Sequence, residues 1–295
     1  MDLLANMKIK TLVPWFGAKR NLAPVIVDLI GSHKAYWEPF CGSMAVLMKK
    51  PPCQLETVND LNGDLINLAR VIQDKDLAFR LYDKLSRTLC SERFFRESKE
   101  RWISNSKDNT EPDIGRAYDF FVTSWMGING VSGTQRCNYQ FALRWCVGGG
   151  QGATRWANVV SSMPAWHKRL QNVMIIQKDA FWLLENIRDE PAAVIYVDPP
   201  YFDKNGKYIH DFEDADHERL AELLGRFKHT KIIVSYYDHP KLEVLYPGWY
   251  RPYFSTTRQS LRNATKGKKS PAPGKSKKNV EVLLVNKKPR EPGLF

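Results

Sequence analysis

At 295 residues the chain can bury one sizeable α/β core carrying an insertion, or two small domains. Its formal charge of +12 favours a polyanionic partner, nucleic acid foremost. No apolar run approaches membrane-spanning length, no signal-peptide pattern opens the chain, and the five cysteines (Cys41, Cys53, Cys90, Cys137 and Cys146) form no Cys-x-x-Cys pair or His-bearing cluster. An integral membrane protein, a disulfide scaffold and a zinc module are thereby disfavoured, and a cytoplasmic protein with reduced thiols and no metal is expected.

The stretch Pro14-Trp15-Phe16-Gly17-Ala18-Lys19-Arg20 reads as a turn leading into a helix over 21–30. A strand over 35–40 runs into Glu38-Pro39-Phe40-Cys41-Gly42-Ser43, and a helical run over 44–48 follows. Strand, glycine turn and helix make the first unit of a nucleotide-binding sheet: the glycine lets the backbone approach a ligand, and the helix start supplies free N–H groups. The next strand, 54–58, ends in Asn59-Asp60-Leu61-Asn62 before a helix over 64–72. Asp60 follows Gly42 by about twenty residues, the place for a carboxylate that binds ribose hydroxyls. An Asp capping the next helix fits the same position.

Between 76 and 170 the pattern changes. Charged helical stretches over 80–89 and 93–102 precede a run, 124–156, rich in Gly, Asn, Trp and Arg and without clean periodicity. It reads as irregular, with a loop at Gly148-Gly149-Gly150 and Gly152. Arg136, Asn138, Gln140, Arg144 and Arg155 can pair with base edges or phosphates, which suits an insertion that recognises DNA. A helical subdomain with inward tryptophans is the alternative, and the two are compatible.

The sheet pattern resumes at 173–176, followed by Lys178-Asp179-Ala180-Phe181, and then by an uncharged β-branched run, 194–197, that suits a strand buried on both faces. That strand ends in Asp198-Pro199-Pro200-Tyr201. The prolines fix the chain's path and leave the Pro199 carbonyl as an acceptor. Asp198 lies beyond the strand's carboxyl end, where open α/β sheets bind ligands. Tyr201 offers a ring face to a planar base. One carboxylate, one rigid carbonyl and one aromatic platform suit the exocyclic amine of a nucleobase, whose lone pair is delocalised until both N–H groups are held by acceptors. A helix-capping Asp198 and a half-buried Tyr201 are the bland alternative.

A helix over 218–227 and strands over 231–235 and 280–285 complete the alternation, so a mostly parallel α/β sheet is expected. Segment 258–279 is basic and Pro/Gly/Ser-rich and lacks acidic residues. Arg262, Lys268 and Lys269 there could close on phosphates, or the segment is a solvated linker.

With these motifs in this order, the chain resembles the Dam-type (D12 class) DNA adenine N6-methyltransferases over its first 75 residues and most of the chain after Leu170. The resemblance implies a Rossmann-like methyltransferase core from 1–75 and 171–295, a target-recognition insertion over 76–170, and a basic loop over 258–279 within the core. It implies S-adenosylmethionine as cofactor, held by Trp15 and Lys19 of the first turn, by Glu38, Phe40 and Gly42 beside the methionine portion, by Asp60 at the ribose, by Asp179 at the adenine, and by Asp198. Asp198, Pro199, Pro200 and Tyr201 match the catalytic tetrapeptide, which implies methyl transfer to adenine N6 of a base flipped out of double-stranded DNA. A monomer of bacterial or phage origin, of the kind found in restriction–modification, is the accompanying expectation.

The chain departs from the family where a second glycine is common: Met44 stands in the cofactor turn and Ala18 in the first turn, and both departures bear on cofactor binding. Asn129-Gly130 matches the family's Asn-Gly, but its surroundings do not, so no target sequence is inherited. Pro51-Pro52-Cys53-Gln54 imitates a cytosine C5-methyltransferase nucleophile but stands after the first helix, at the wrong place in the order. Cytosine N4-methylation and a non-catalytic DNA-binding protein that keeps the fold are the remaining alternatives.

Overall fold

A computed structural model describes residues 11–15, 17–105, 111–128, 140–143, 152–202, 212–255 and 280–287. Helix α1 (Ala23–Ile30) has Pro24 in its first turn and turns Ala23, Ile26 and Ile30 inward. Strand β1 (Ala35–Glu38), the short helix α2 (Ala45–Lys49), strand β2 (Leu55–Asn59) and helix α3 (Gly63–Gln73) follow. The cap of α3 is Asn62, whose side chain accepts from Leu65 N at 2.9 Å, so the capping role considered for Asp60 falls to its neighbour.

Helices α4 (Lys75–Ser86), α5 (Glu92–Ser104), α6 (Ile114–Met126), α7 (Gly152–Val160) and α8 (Met163–Leu170) fill the middle of the chain. Two expectations are corrected here. Helix α4 begins five residues before the expected 80, because Asp74 caps it by accepting from Asp76 N and Leu77 N. The run expected to be irregular, 124–156, begins inside α6 and ends inside α7. Among the described residues, Trp125 and Trp156 of that run pack inward, and with Trp166 of α8 they surround Phe121 with ring centroids 5.8–6.2 Å apart.

The second half runs β3 (Met174–Ile176), α9 (Ala180–Asn186), β4 (Ala193–Val197), α10 (Asp214–Gly225), β5 (Lys231–Tyr237), α11 (Lys241–Leu245), β6 (Tyr253–Ser255) and β7 (Val280–Val285). The seven strands are ordered β3-β2-β1-β4-β5-β7-β6. Pairs from β3 through β5 are parallel, while β7 runs antiparallel to both β5 and β6. All five residues of β4 are buried, as expected of a central parallel strand. The order reverses between β1 and β4, and such a switch point opens a crevice at the carboxyl ends of the strands. Because β7 is antiparallel, its first residues lie beside the carboxyl end of β5, with Glu281 opposite Tyr237.

The core lies in two clusters. One contains Ile195, Val197, Leu220, Leu224 and Ile232 with α9 and α10. The other joins Tyr36 and Val58 to α3 and to Phe121, Trp156 and Trp166, so the helices of 76–170 share one apolar core with the sheet. Polar ties reinforce that union. Trp125 Nε1 donates to Leu12 O at 2.8 Å, and Arg169 of α8 makes two bonds to Glu56 of β2, at 2.5 and 2.8 Å.

Candidate active site

A cavity of about 500 Å³ opens at the carboxyl ends of β1, β2 and β4, within the range of small-molecule sites. Among the described residues, five carboxylates (Glu38, Asp60, Asp179, Asp198 and Asp216) and one ammonium, Lys19, line it. Its walls come from the first turn, the loops after the three strands, the start of α9 and Phe212 with Asp216 near the start of α10.

Gly42 lines this space beside Trp15. It has φ +44°, and a Cβ there would stand 3.0 Å from Trp15 Nε1, so both conformation and room require glycine. Asp60 holds the same turn from the next strand: its Oδ2 accepts from Gly42 N at 2.8 Å and its Oδ1 from Asn62 N at 2.9 Å. Carboxylate oxygens carry more than one lone pair, so Asp60 can still accept from a diol.

Glu38 is buried at the end of β1 and accepts from the Tyr36 hydroxyl at 2.9 Å. Burial pushes its pKa up to about 8, and the charge of Asp198 adds to that against the pull of the Tyr36 bond. Asp179 caps α9 through Phe181 N and Trp182 N and also lines the cavity. Beside it, Phe212 stacks on Phe181 at 5.6 Å and meets Phe40 edge-on at 5.6 Å.

The two departures from the glycine pattern have different outcomes. In the first turn the positive φ belongs to Gly17, at 74°, and Ala18 needs none. In the turn after β1 Met44 itself adopts the left-handed region, φ 57° and ψ 34°. Its side chain is fully buried in the core and does not line the cavity, so the backbone keeps the glycine conformation with no side chain in the site.

Asp198 stands one residue past β4. Its Oδ1 pairs with Lys19 Nζ at 2.9 Å, and Lys19 also reaches Glu281 Oε1 at 3.1 Å and donates to Gly17 O at 2.9 Å. The Tyr201 hydroxyl contacts Asp198 Oδ1 at 3.1 Å, Ser235 Oγ at 3.0 Å and Glu281 Oε1 at 2.7 Å. Burial pushes the Asp198 carboxyl up to about 6; Lys19 opposes the shift and Glu281 supports it. The Tyr201 ring is 5% exposed and lies against Tyr236, Tyr237 and the Lys19 ammonium. The face expected to be open to a base is therefore covered, and Tyr201 enters the site through its hydroxyl.

Sequence reading thus finds Trp15, Lys19, Glu38, Phe40, Gly42, Asp60, Asp179, Asp198, Pro199 and Pro200 around one cavity, with Tyr201 immediately behind it. It missed Glu281, Ser235, Phe212 and Asp216. An acid within a β-branched run was the available signal for Glu281. Arg155 lies in α7, its guanidinium 5.1 Å from the Trp125 ring centroid. Arg136, Asn138, Arg144, Arg262, Lys268, Lys269 and Asn129-Gly130 lie outside the described residues. Among those described, no helix is long and apolar enough to cross a membrane, and no three His, Cys, Asp or Glu residues are placed to hold a metal.

A family model, that of the D12 class N6 adenine-specific DNA methyltransferases, matches residues 15–259. Among solved structures, the chain is similar to the SMU.472 protein complexed with SAH, at 10% identity and TM-score 0.37, covering 96% of this chain but 55% of that one. It is similar also to two structures of the rRNA methyltransferase aviRa from Streptomyces viridochromogenes. One matches at 14% identity and TM-score 0.38, covering 92% of this chain and 86% of that one. The other matches at 13% and 0.41, covering 97% and 93%.

Proposed function

The chain belongs to the D12 class N6 adenine-specific DNA methyltransferases, and on that premise we propose that its cavity binds S-adenosylmethionine while Asp198 receives the N6 amine of an adenine from double-stranded DNA. The observation that carries the reading is the meeting of Asp198 with the Glu38-to-Gly42 turn across one cavity at the sheet's switch point. The donor set fits such a cofactor. Gly42 leaves a cradle that a Cβ would fill, Asp60 suits a ribose diol, the Phe40–Phe212–Phe181 group suits a purine face, and the excess of carboxylates suits a ligand with cationic groups.

When bound, the cofactor supplies an electrophilic methyl carbon on a sulfonium. The protein's part is to hold the amine. Asp198 accepts from N6 beside the Pro199 carbonyl, which draws the nitrogen toward the tetrahedral geometry that frees its lone pair. No covalent enzyme intermediate is needed. The adenine leaves the DNA stack to reach this cavity. Arg136, Asn138, Gln140, Arg144 and Arg155 of the 124–156 run, together with basic segment 258–279, contact DNA, and the protein acts as a cytoplasmic monomer.

Incubation with DNA and methyl-labelled cofactor, followed by digestion to nucleosides, tests the reading. Label in N6-methyl-2′-deoxyadenosine is the expected result. Label in N4- or C5-methylcytosine, or no label on DNA of varied sequence, overturns it. Asp198→Ala should abolish transfer and leave DNA binding intact, and retained turnover would remove Asp198 from the chemistry.

A further inference from the structure

Glu281 belongs to no motif that marked the site, yet it is the meeting point of the site's buried polar groups. Its side chain is 6% exposed, and its Oε1 takes three donors: Lys19 Nζ at 3.1 Å, the Tyr201 hydroxyl at 2.7 Å and the Ser235 hydroxyl at 2.9 Å. The Tyr201 hydroxyl has one proton for three partners, so it donates to one at a time, and its shortest contact is with Glu281. Asp198 Oδ1, the Tyr201 oxygen and Glu281 Oε1 thus form an unbroken line from the cavity wall to β7, with Ser235 as a parallel link. Two carboxylates on one ammonium leave the cluster one charge short of neutral, which is the capacity to take up one proton.

We propose that Glu281 is a positioning residue for transfer to the amine, fixing the charge of Asp198 through Lys19 and Tyr201 and receiving by relay the proton that the amine nitrogen sheds. The inference rests on the reading of Asp198 as the amine's acceptor. A nitrogen that has gained a methyl group carries a positive charge until one of its N–H bonds breaks. The electron pair stays on nitrogen, and the proton forms an O–H bond on Asp198. Asp198 then passes it to the Tyr201 oxygen as the proton of the Tyr201 hydroxyl moves to Glu281 Oε1. Each hop breaks one bond to hydrogen and forms another, so no further reactant is required. Burial and the two flanking carboxylates hold the Tyr201 hydroxyl well above its ordinary pKa, so the two hops occur together and no tyrosinate forms.

The groups facing Asp198 come from every element around it. Among the described residues they are Lys19 from the first turn, Glu38 from β1, Tyr196 from β4, Tyr201 from its own loop, Tyr236 and Tyr237 from β5, and Glu281 from β7. Of these, Glu281 alone is a second anion bound to the same ammonium as Asp198.

Glu281→Gln tests the proposal in the full-length protein with two readouts. The first is the titration of the Asp198 carboxyl in cofactor-free protein, followed by carbon-13 resonance and assigned with Asp198→Asn. Removing the neighbouring anion should move that titration to lower pH. The second is single-turnover transfer at saturating cofactor and DNA, expected to be slowed by roughly tenfold or more, with its acid limb moved to lower pH, cofactor affinity unchanged, and partial rescue by Glu281→Asp. A residue that merely staples β7 to the first turn would leave the titration and the acid limb where they stand in the wild type, and that result overturns the proposal. Should Glu281→Gln fail to fold, Tyr201→Phe decides: it keeps the charge and the ring but removes the hydroxyl through which the proton passes, and an unchanged single-turnover rate overturns the relay. A wild-type protein that methylates no adenine would instead sink the functional reading, while the carboxyl titration still reports whether Glu281 governs Asp198.

Discussion

Met44 occupies a glycine's conformation with a core residue's side chain, and the two properties oppose each other in a measurable way. A left-handed backbone costs a non-glycine residue about 1–2 kcal/mol. Truncating a buried methionine to alanine costs about 2–5 kcal/mol. Met44 is 0% exposed, so the full range applies. Met44→Ala loses the packing and keeps the strain of φ 57°, a fall in stability of about 2–5 kcal/mol. Met44→Gly loses the same packing but relieves the strain, leaving a net fall of about 1–3 kcal/mol. Glycine, which offers a core nothing, should therefore be the milder replacement. Denaturant unfolding of the cofactor-free protein measures both differences. Because the Met44 side chain does not reach the cavity, calorimetric titration with S-adenosylhomocysteine should give nearly the wild-type affinity for both variants. An alanine variant more stable than the glycine one would refute the strain. Binding to Met44→Gly tighter by about tenfold, or 1.4 kcal/mol, would show that the methionine does impair the site.

Three further outcomes follow from other parts of the structure. Arg169→Leu deprives the buried Glu56 of both guanidinium bonds and the Leu47 carbonyl of its bonds at 3.0 and 3.2 Å. With Lys50 still 2.5 Å from Glu56, it should cost about 1–3 kcal/mol in unfolding experiments, and no measurable loss would mean that α8 is not fastened to β2 through this network. Glu38 ionises near 4.5 when unfolded but near 8 in the fold, so the folded state binds the extra proton and its stability falls as pH rises between those values. Glu38→Gln removes that dependence, so thermal melts of variant and wild type should diverge through this window and run parallel outside it; parallel curves throughout would refute the burial argument. Deleting 262–278, which holds Arg262, Lys268 and Lys269 and no acidic residue, should weaken DNA binding and flatten its dependence on salt. An unchanged slope would make the segment a linker.

The strands that carry the site were readable because each has one dominant environment. β4 is buried along its whole length and is correspondingly uncharged, and β2 ends in a polar cluster where the sheet meets the cavity. Asp60 was readable as a strand-tip carboxylate, but its bond to Gly42 N was not, because that bond depends on where two loops meet in space. The helices of 114–170 were illegible for a different reason. In α6 every residue from Ala117 to Met126 is buried, including Asp119, Thr123 and Ser124. That burial is imposed by α3 and α5 and by Trp156 and Trp166, neighbours that no local pattern within 117–126 announces. Strand β6, three residues long and antiparallel, offers too little pattern to register. Phe212 failed to register because its role is set by Phe40 and Phe181, which lie far away in sequence.

Glu281 is the most instructive omission. In Val280-Glu281-Val282-Leu283-Leu284-Val285 an acidic second residue reads as facing solvent, yet it is 5% exposed because Lys19, contributed from the opposite end of the chain, meets it beside the carboxyl end of β5. Such a cluster is a poor means of stabilising a fold. Desolvating three charged groups typically costs more than their attraction returns, and apolar side chains of the same size would often do better. What it accomplishes is local. Burial favours a neutral acid at Asp198, and Glu281 beside it pushes the same way, so without Lys19 the carboxyl would rise further above about 6 and lose its capacity to accept from an amine near neutral pH. The antiparallel turn of β7 into the sheet brings Glu281 within reach of Lys19 and Tyr201, and the glycine turn brings Lys19 within reach of Asp198. The sheet order therefore sets the charge of the Asp198 carboxylate as well as its position.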